Sequence, residues 1–143
     1  MPVNPAIIPC LAYRDAHAAI DFLCEAFGFS RNAVYESEDK TRIDHAQLTL
    51  DGNMIMLSST SRHVEDALSM VTPAETGGKV TACLYVVLDD PDAHYERAVK
   101  AGARIINPPT DQDYGGRSYE VTDLEGNVWS FGTYDPFELF QAD

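Results

Sequence analysis

The sequence predicts an α+β fold made of two tandem βαβββ modules, and two observations carry this prediction. Each half of the 143-residue chain places one strand-like run before a segment of helical period, and three further strand-like runs follow it. The glycines that end the two predicted helices, Gly28 and Gly102, are 74 positions apart, and the turn glycines Gly52 and Gly126 have the same spacing. One plan of elements therefore occurs twice along the chain.

The first module is predicted over about residues 5–59 of a single domain that spans residues 1–143. The strand AIIPCLAYRD leads into a helix that begins at the N-cap Asp15 and ends at Gly28. The strands NAVYES, IDHAQLTL and MIMLSS follow, and a tight turn at 51–53 joins the last two.

The second module is predicted over about residues 80–135, after a polar linker at about 60–79. The strand VTACLYVVLDD precedes a helix that starts at Pro91, and the strands RIINP, RSYEVTD and VWSFGTY follow. One helix covers only one face of each sheet, so one face of each module is left open. We expect the two open faces to surround a shared apolar cleft, which is the usual form of a ligand site.

Composition and charge limit the classes of partner. The chain is 45% hydrophobic and 23% charged, which is typical of a soluble globular protein. It has no apolar run long enough to span a membrane and no signal peptide, so we expect a cytoplasmic protein without a membrane partner. The net charge of −13 argues against a nucleic-acid partner, because phosphate binding requires a basic face. It permits a cationic ligand, although an acidic surface that keeps the protein in solution is the simpler explanation.

The three cysteines, Cys10, Cys24 and Cys83, have no CxxC spacing and lie in apolar runs. We expect buried thiols in a reducing compartment. The sequence contains no G-x-S-x-G elbow, no P-loop and no G-x-G-x-x-G motif, so none of these common catalytic or nucleotide-binding signatures is available.

Four segments carry a resemblance to a known family: LAYRDAHAAIDFLCEAFGF, HAQLTLDGNMIML, LYVVLDDPDAHYERAVKAGARI and YGGRSYEVTDLEGNVWSFGTY. Together they resemble the vicinal oxygen chelate superfamily, which contains glyoxalase I, bleomycin resistance proteins and extradiol dioxygenases. The resemblance covers nearly the whole chain and recurs in both halves. It implies that the two modules form an incomplete barrel around a cleft.

The resemblance also implies four metal-ligand positions, on the first, fourth, fifth and eighth strands, where metal-dependent relatives have His, Glu or Gln. In this chain those positions fall at Ile8, Met56, Cys83 and Ser130. Hydrocarbon, thioether, thiol and hydroxyl groups do not replace imidazole and carboxylate around magnesium, iron or zinc. We therefore expect a branch of the superfamily that lacks the metal quartet, with no metal and no cofactor.

Strand alternation selects the side chains of the open face. Ser130 is predicted to face the cleft and its neighbours Trp129 and Phe131 the helix layer, while Met54 and Met56 share the open face. Tyr35 is a further aromatic candidate. The complete set of predicted ligand-binding residues is His45, Gln47, Met54, Met56, Tyr85, Tyr114, Arg117, Tyr119 and Ser130.

Two readings of His45 and Glu120 stay open. They are candidates for an acid–base pair or for two ligands of a displaced metal site, or else Glu120 is a solvated residue at the cleft mouth and His45 a hydrogen-bonded pocket histidine. The other histidines, His17, His63 and His94, are predicted to be solvated on helix surfaces or in the linker.

The loop DQDYGGRSYE offers two aromatic rings and one cation. Tyr114 and Tyr119 are candidates to stack on a planar ligand, and Arg117 is a candidate to hold a carboxylate with its bidentate fork. Pairing of Arg117 with a nearby acidic residue is the equal alternative.

Three functions compete. The first is a metal-independent small-molecule-binding protein of the bleomycin-resistance type, a homodimer that sequesters an aromatic or cationic ligand, such as an antibiotic, in clefts shared between subunits. The second is an enzyme, a glyoxalase-like (lactoylglutathione-lyase-like) lyase or isomerase or a dioxygenase, with a displaced metal site. The third is a dimeric accessory subunit that binds no small ligand.

Overall fold

The computed structural model describes residues 3–60 and 69–140, so His63 and most of the predicted linker's first half lie outside the described residues. Each half of the chain forms the elements expected from the repeat. In module 1 they are β1 (Cys10–Tyr13), α1 (Ala16–Phe27), β2 (Ser30–Glu36), β3 (Ile43–Leu50) and β4 (Asn53–Ser59). In module 2 they are β5 (Cys83–Val87), α2 (Pro91–Lys100), β6 (Arg104–Asp111), β7 (Arg117–Thr122) and β8 (Val128–Gly132), with 3₁₀ turns at Pro73–Thr76 and Pro136–Phe140.

The two sheets have the same topology. Their strand orders are β1-β4-β3-β2 and β5-β8-β7-β6. The pairs β1–β4 and β5–β8 are parallel, and the other neighbouring strands are antiparallel. The predicted α+β fold of two tandem βαβββ modules is confirmed, with both sheets unclosed.

Local signals in the sequence set the helix ends. The side chain of Asp15 accepts a hydrogen bond from the backbone N–H of Ala18, at 3.0 Å, and so satisfies one of the free donors at the start of α1. Gly28 ends α1 in the left-handed region with φ 86°, where a side chain would be strained, and its N–H reaches the carbonyl of Leu23. Asp90 caps α2 in the same way, by accepting from the backbone N–H of Ala93 at 3.0 Å.

One hydrophobic core joins the two modules. Phe27, at the end of α1, is fully buried, and its ring centroid lies 4.9 Å from that of Phe131 and 5.4 Å from that of Trp129, both on β8 of the other module. The helix-facing residues of both sheets belong to this core. The helix layer therefore lies between the sheets, and the open faces point away from each other. The two open faces of one chain therefore do not face each other, because each module buries its helix side against the other.

Polar contacts reinforce this interface at the turn before β8. The buried carboxylate of Asp123 accepts a hydrogen bond from the Tyr13 hydroxyl at 2.6 Å and another from Trp129 Nε1 at 3.2 Å. The neighbouring carboxylate of Glu125 accepts from the backbone N–H groups of Arg14 at 2.7 Å and Asp15 at 2.9 Å. One turn of module 2 therefore holds the junction between β1 and α1.

His94 is part of the interface rather than solvated, which corrects the sequence prediction. Its Nε2 lies 2.8 Å from the carbonyl oxygen of Phe27, and its Nδ1 lies 2.5 Å from the hydroxyl of Tyr119. A carbonyl oxygen only accepts, so Nε2 carries the proton and Nδ1 accepts from the tyrosine. Burial, with a contribution from the positive charge of Arg97, lowers the pKa of His94 from its ordinary value.

The lowered pKa of His94 predicts an acid-sensitive interface. As the pH falls, the unfolded chain takes up this proton at a higher pH than the folded chain does. The contribution of His94 to the free energy of unfolding is therefore complete above the ordinary histidine pKa of about 6.5, and it is lost as the pH falls through and below that value. We expect the urea midpoint of the wild-type protein to fall more steeply between pH 7.5 and pH 5.5 than that of His94→Gln. His17→Gln makes the same substitution at a partly exposed histidine outside this interface and is the control. Equal slopes for His94→Gln and the wild type would contradict the assignment.

Candidate functional site

The open face of module 1 comprises the side chains of its sheet that point away from the helices. The alternation of the strands defines it, since Ala46, Leu48, Ile55 and Leu57 point into the core. The members of this face with chemically distinctive groups are Cys10, Asn32, Tyr35, His45, Gln47, Met54 and Met56.

A chain of polar contacts crosses this face. The ring of Tyr35 stacks on His45, with centroids 6.1 Å apart and planes at 22°. Gln47 Nε2 lies 3.1 Å from His45 Nε2, and Asn32 Nδ2 donates to Gln47 Oε1 at 2.8 Å. The amide nitrogen of Gln47 donates, so His45 accepts at Nε2 in this arrangement.

Sulfur atoms occupy the other side of the face of module 1. Met56 is the Cα partner of Cys10, and Met54 follows along the same strand face. Thioether side chains adapt their shape to apolar ligands and contact aromatic rings favourably. Cys10 is exposed, and so is Cys83 in module 2, so the prediction of three buried thiols is wrong for these two; both lie on open faces that the helices do not cover.

The open face of module 2 carries Cys83, Tyr85, Val87, Asn107, Glu120 and Ser130. Ser130 is the Cα partner of Glu120 on one side and of Tyr85 on the other, so these three side chains form a row across the sheet. Trp129 and Phe131 point into the core, as alternation predicts. Ser130 therefore stands between two aromatic residues in sequence because it points to the open face while both neighbours point to the core.

Glu120 has an unusual environment in this row. Its Oε1 accepts a hydrogen bond from Asn107 Nδ2 at 3.2 Å. Its Oε2 is inaccessible to solvent and has no hydrogen-bond partner among the described residues. His45 and Glu120 lie on opposite sides of the helix layer, so one chain does not bring them together as an acid–base pair.

Two predicted site residues lie on the helix side of module 2 instead of its open face. Tyr119 is fully buried against His94 and the ring of Tyr95. Burial raises the pKa of its hydroxyl. Arg117 binds the Asp92 carboxylate through Nε at 2.8 Å and Nη2 at 3.0 Å, so its bidentate fork is already occupied, and this pairing lowers the pKa of Asp92. Neither side chain points toward a ligand on the open face.

Tyr114 lies at the rim of the face of module 2. It is exposed, and its ring meets that of Tyr134 edge to face with centroids 5.3 Å apart. The hydroxyl of Tyr85 donates to the carbonyl of Tyr134 at 2.6 Å. Tyr134 was not predicted from the sequence. Asn32 and Asn107 were missed for another reason: each lies at a register shift of its strand, which strict alternation does not predict.

The positions of the family's metal quartet do not fit a metal. Met56, Cys83 and Ser130 lie on open faces, and Ile8 precedes β1. Their hydrocarbon, thioether, thiol and hydroxyl groups lack imidazole and carboxylate, whichever subunit supplies them. Within residues 3–60 and 69–140, no three His, Cys, Asp or Glu side chains are grouped as metal ligands.

Two concavities occur in the described part of the chain. One of about 350 Å³ is lined by Arg14, His17 and Arg42 at the start of α1, and one of about 750 Å³ lies between Phe22, the 3₁₀ turn at Pro73–Thr76 and Leu124. None of the described helices has the length and apolar character needed to cross a membrane.

Comparisons with known proteins agree with this architecture. Residues 6–131 match the model of the Glyoxalase/Bleomycin resistance protein/Dioxygenase superfamily. An uncharacterized protein of Mycobacterium bovis is 35% identical over 130 residues, which cover 91% of this chain and 84% of that protein. The crystal structure of TioX from Micromonospora sp. ML1 is similar with a TM-score of 0.69 and 31% identity, over 90% of this chain and 94% of that one. The fosfomycin resistance protein FosX from Mesorhizobium loti shares the fold at a TM-score of 0.64 and 16% identity, over 97% and 99% of the two chains.

The match of a family model to most of the chain, together with these relatives, establishes the class. The protein belongs to the glyoxalase/bleomycin resistance protein/dioxygenase superfamily.

Proposed function

We propose that this protein is a metal-independent small-molecule-binding protein that sequesters its ligand as a homodimer. One observation carries the proposal: the two open faces display aromatic, thioether and amide groups toward solvent. Tyr35 is 59% exposed and Tyr85 40% exposed. Contiguous exposed apolar surface rimmed by polar groups marks interaction or ligand-binding sites in soluble proteins.

The direction of the faces supports the proposed homodimer. A sheet face alone is too shallow to bury most of a ligand, whereas two facing sheets form a cleft. Since the open faces of one chain point apart, the face of module 1 in one subunit would meet the face of module 2 in the other. A two-fold dimer then has two equivalent clefts.

The chemistry of the faces indicates the ligand class. The rings of Tyr35, Tyr85 and Tyr114 suit a planar aromatic group, and Met54 and Met56 adapt to its shape. His45, Gln47 and Ser130 supply a few polar contacts. The net charge of −13 favours the encounter with a cation. Sequestration of an antibiotic is consistent with a family that includes bleomycin resistance proteins. Three free thiols fit a cytoplasmic location.

A thermal-shift screen tests ligand binding. We expect cationic glycopeptides or aromatic acids to raise the melting temperature at concentrations well above their Kd, because ligands that bind only the folded protein stabilise it. A protein that no such compound stabilises, and whose dimer has closely packed faces without a cavity, would instead be the accessory subunit considered above.

A subunit-mixing experiment tests the shared cleft. His45→Ala changes the face of module 1, and Tyr85→Ala changes the face of module 2; each homodimer should bind a ligand found in the screen at least tenfold more weakly. After subunit exchange, half of the dimers are mixed and each has one unaltered cleft, so about a quarter of the wild-type capacity should return. No recovery after exchange, with mixed dimers verified by mass spectrometry, would contradict the shared cleft.

The metal-dependent alternative is tested separately. A lyase, isomerase or dioxygenase with a displaced site requires His45 and Glu120 to meet across two subunits and to recruit a further ligand. We expect elemental analysis of the purified dimer to find only substoichiometric divalent metal. One divalent ion per cleft, lost in His45→Ala, would favour the enzyme.

A further inference from the structure

Glu120 presents a carboxylate that the described chain satisfies only in part. Asn107 provides one hydrogen bond to Oε1, and Oε2 has none. Among residues 3–60 and 69–140, no Lys, Arg or His nitrogen forms an ion pair with this carboxylate. A buried acceptor without a donor is destabilising, and a charged one more so, so native proteins rarely retain such a group without a use for it.

Within the described parts of the chain, no ion pair supplies a cation to this carboxylate. Its neighbour across the sheet is Ser130, and beyond it lies Tyr85. The pKa of Cys83 is raised first by partial desolvation of this otherwise exposed residue and then by the negative charge of Glu120, which places the thiol near the carboxylate. These described neighbours therefore offer Glu120 hydroxyl and thiol groups but no positive charge.

We propose that Glu120 binds a positively charged or N–H-donating nitrogen group of the ligand, such as an amidine or ammonium attached to an aromatic ring. This inference rests on the proposed binding function and specifies its ligand class. Rotation about the terminal torsion of the side chain, which has a broad energy profile, turns the unpartnered oxygen toward a donor on the open face. The resulting charge-assisted hydrogen bond is stronger than a neutral one. The adjacent Tyr85 ring offers a surface for the aromatic part.

Three ring compounds of the same size isolate the contribution of charge. Benzamidine is a cation, benzamide a neutral N–H donor and benzoate an anion. Their dissociation constants, measured by protein-observed NMR titration of the full-length protein, should rise in that order. In Glu120→Gln the advantage of benzamidine over benzamide should fall by at least about tenfold, because the charge-assisted contact is lost.

Glu96→Gln is the matched control. Glu96 is exposed on α2, and its substitution changes the net charge by the same amount as Glu120→Gln. If long-range attraction caused the preference for benzamidine, both variants would weaken binding equally. We expect Glu96→Gln to retain the wild-type order and affinities.

The outcomes separate this inference from the proposed function. Binding of benzamide or benzoate as tightly as benzamidine, or an unchanged preference in Glu120→Gln, would overturn the role of Glu120 while leaving ligand binding intact. Binding of none of the three compounds to the wild-type protein, together with a negative thermal-shift screen, would overturn both. A crystal structure of the ligand-free dimer in which a partner-subunit cation contacts Oε2 would assign the carboxylate to the interface.

Stability provides a second readout. If the carboxylate serves a ligand, Glu120→Gln removes a poorly satisfied charge and should melt at the same temperature as the wild type or higher, as is common for functional residues. A clearly lower melting temperature would show that the charge stabilises the fold and would count against the proposal.

Discussion

Asp123→Ala is expected to lower the free energy of unfolding by about 4 kcal/mol, because it leaves several buried donors without an acceptor. Asp123 is only 3% exposed. Its Oδ2 accepts from the Tyr13 hydroxyl and from Trp129 Nε1, and its Oδ1 accepts from the backbone N–H groups of Glu125 at 3.0 Å and Asn127 at 3.1 Å. In the alanine variant, none of the other groups in these contacts takes over the role of the carboxylate, which offers four lone-pair sites to its donors.

Urea unfolding followed by circular dichroism measures this loss. Asp89→Ala is the control, since Asp89 is exposed and its replacement makes the same change in net charge. Tyr13→Phe removes only one of the hydrogen bonds and should cost about 1–2 kcal/mol, so it remains informative if Asp123→Ala does not fold. Equal midpoints for Tyr13→Phe and the wild type would show that the contact between Asp123 and module 1 contributes no stability.

Phe27→Ala should have a comparably large effect, about 3–5 kcal/mol, because it opens a cavity in the core that joins the modules. The ring is fully buried between Phe131 and Trp129 of β8, whereas its backbone carbonyl still accepts from His94 in the variant. We expect the melting temperature to fall by roughly 10–15 °C for a domain of this size.

Phe27→Leu is the matched variant, since it keeps most of the apolar volume and should cost less than about 1.5 kcal/mol. Differential scanning calorimetry also shows whether the modules still unfold together. A single transition close to that of the wild type in Phe27→Ala would contradict a shared core, because a module that folds independently does not depend on this ring.

Much of the fold could be predicted because the repeat and the period of the strands are local properties of the sequence. The spacing of the glycines defined two equal modules, and alternation in VWSFG assigned Ser130 to the open face and its two neighbours to the core. The same rule already excludes Tyr119 from the open face, since Glu120 pairs with Ser130 and adjacent residues point to opposite sides.

The relative arrangement of the modules could not be predicted, because the pattern within each module does not specify which of its surfaces meets the other module. His94 illustrates the difficulty. In sequence it is a polar residue on a short helix, and its burial depends on distant partners, such as the carbonyl of Phe27, 67 positions earlier. Asn32 and Asn107 were not assigned to the open faces for a local reason. A bulge changes the face to which one residue points, and it has no signature in composition.

The placement of the lone tryptophan gives the molecule an intrinsic optical signal. Trp129 is buried between the modules, with its indole N–H bonded to Asp123, and it lies on the side of β8 opposite Ser130. Its emission therefore shifts to longer wavelength when the modules separate and water reaches the ring. A compound that binds the outer face of the sheet leaves the wavelength of this emission maximum unchanged. Tryptophan fluorescence therefore distinguishes ligand binding from separation of the modules without any added label.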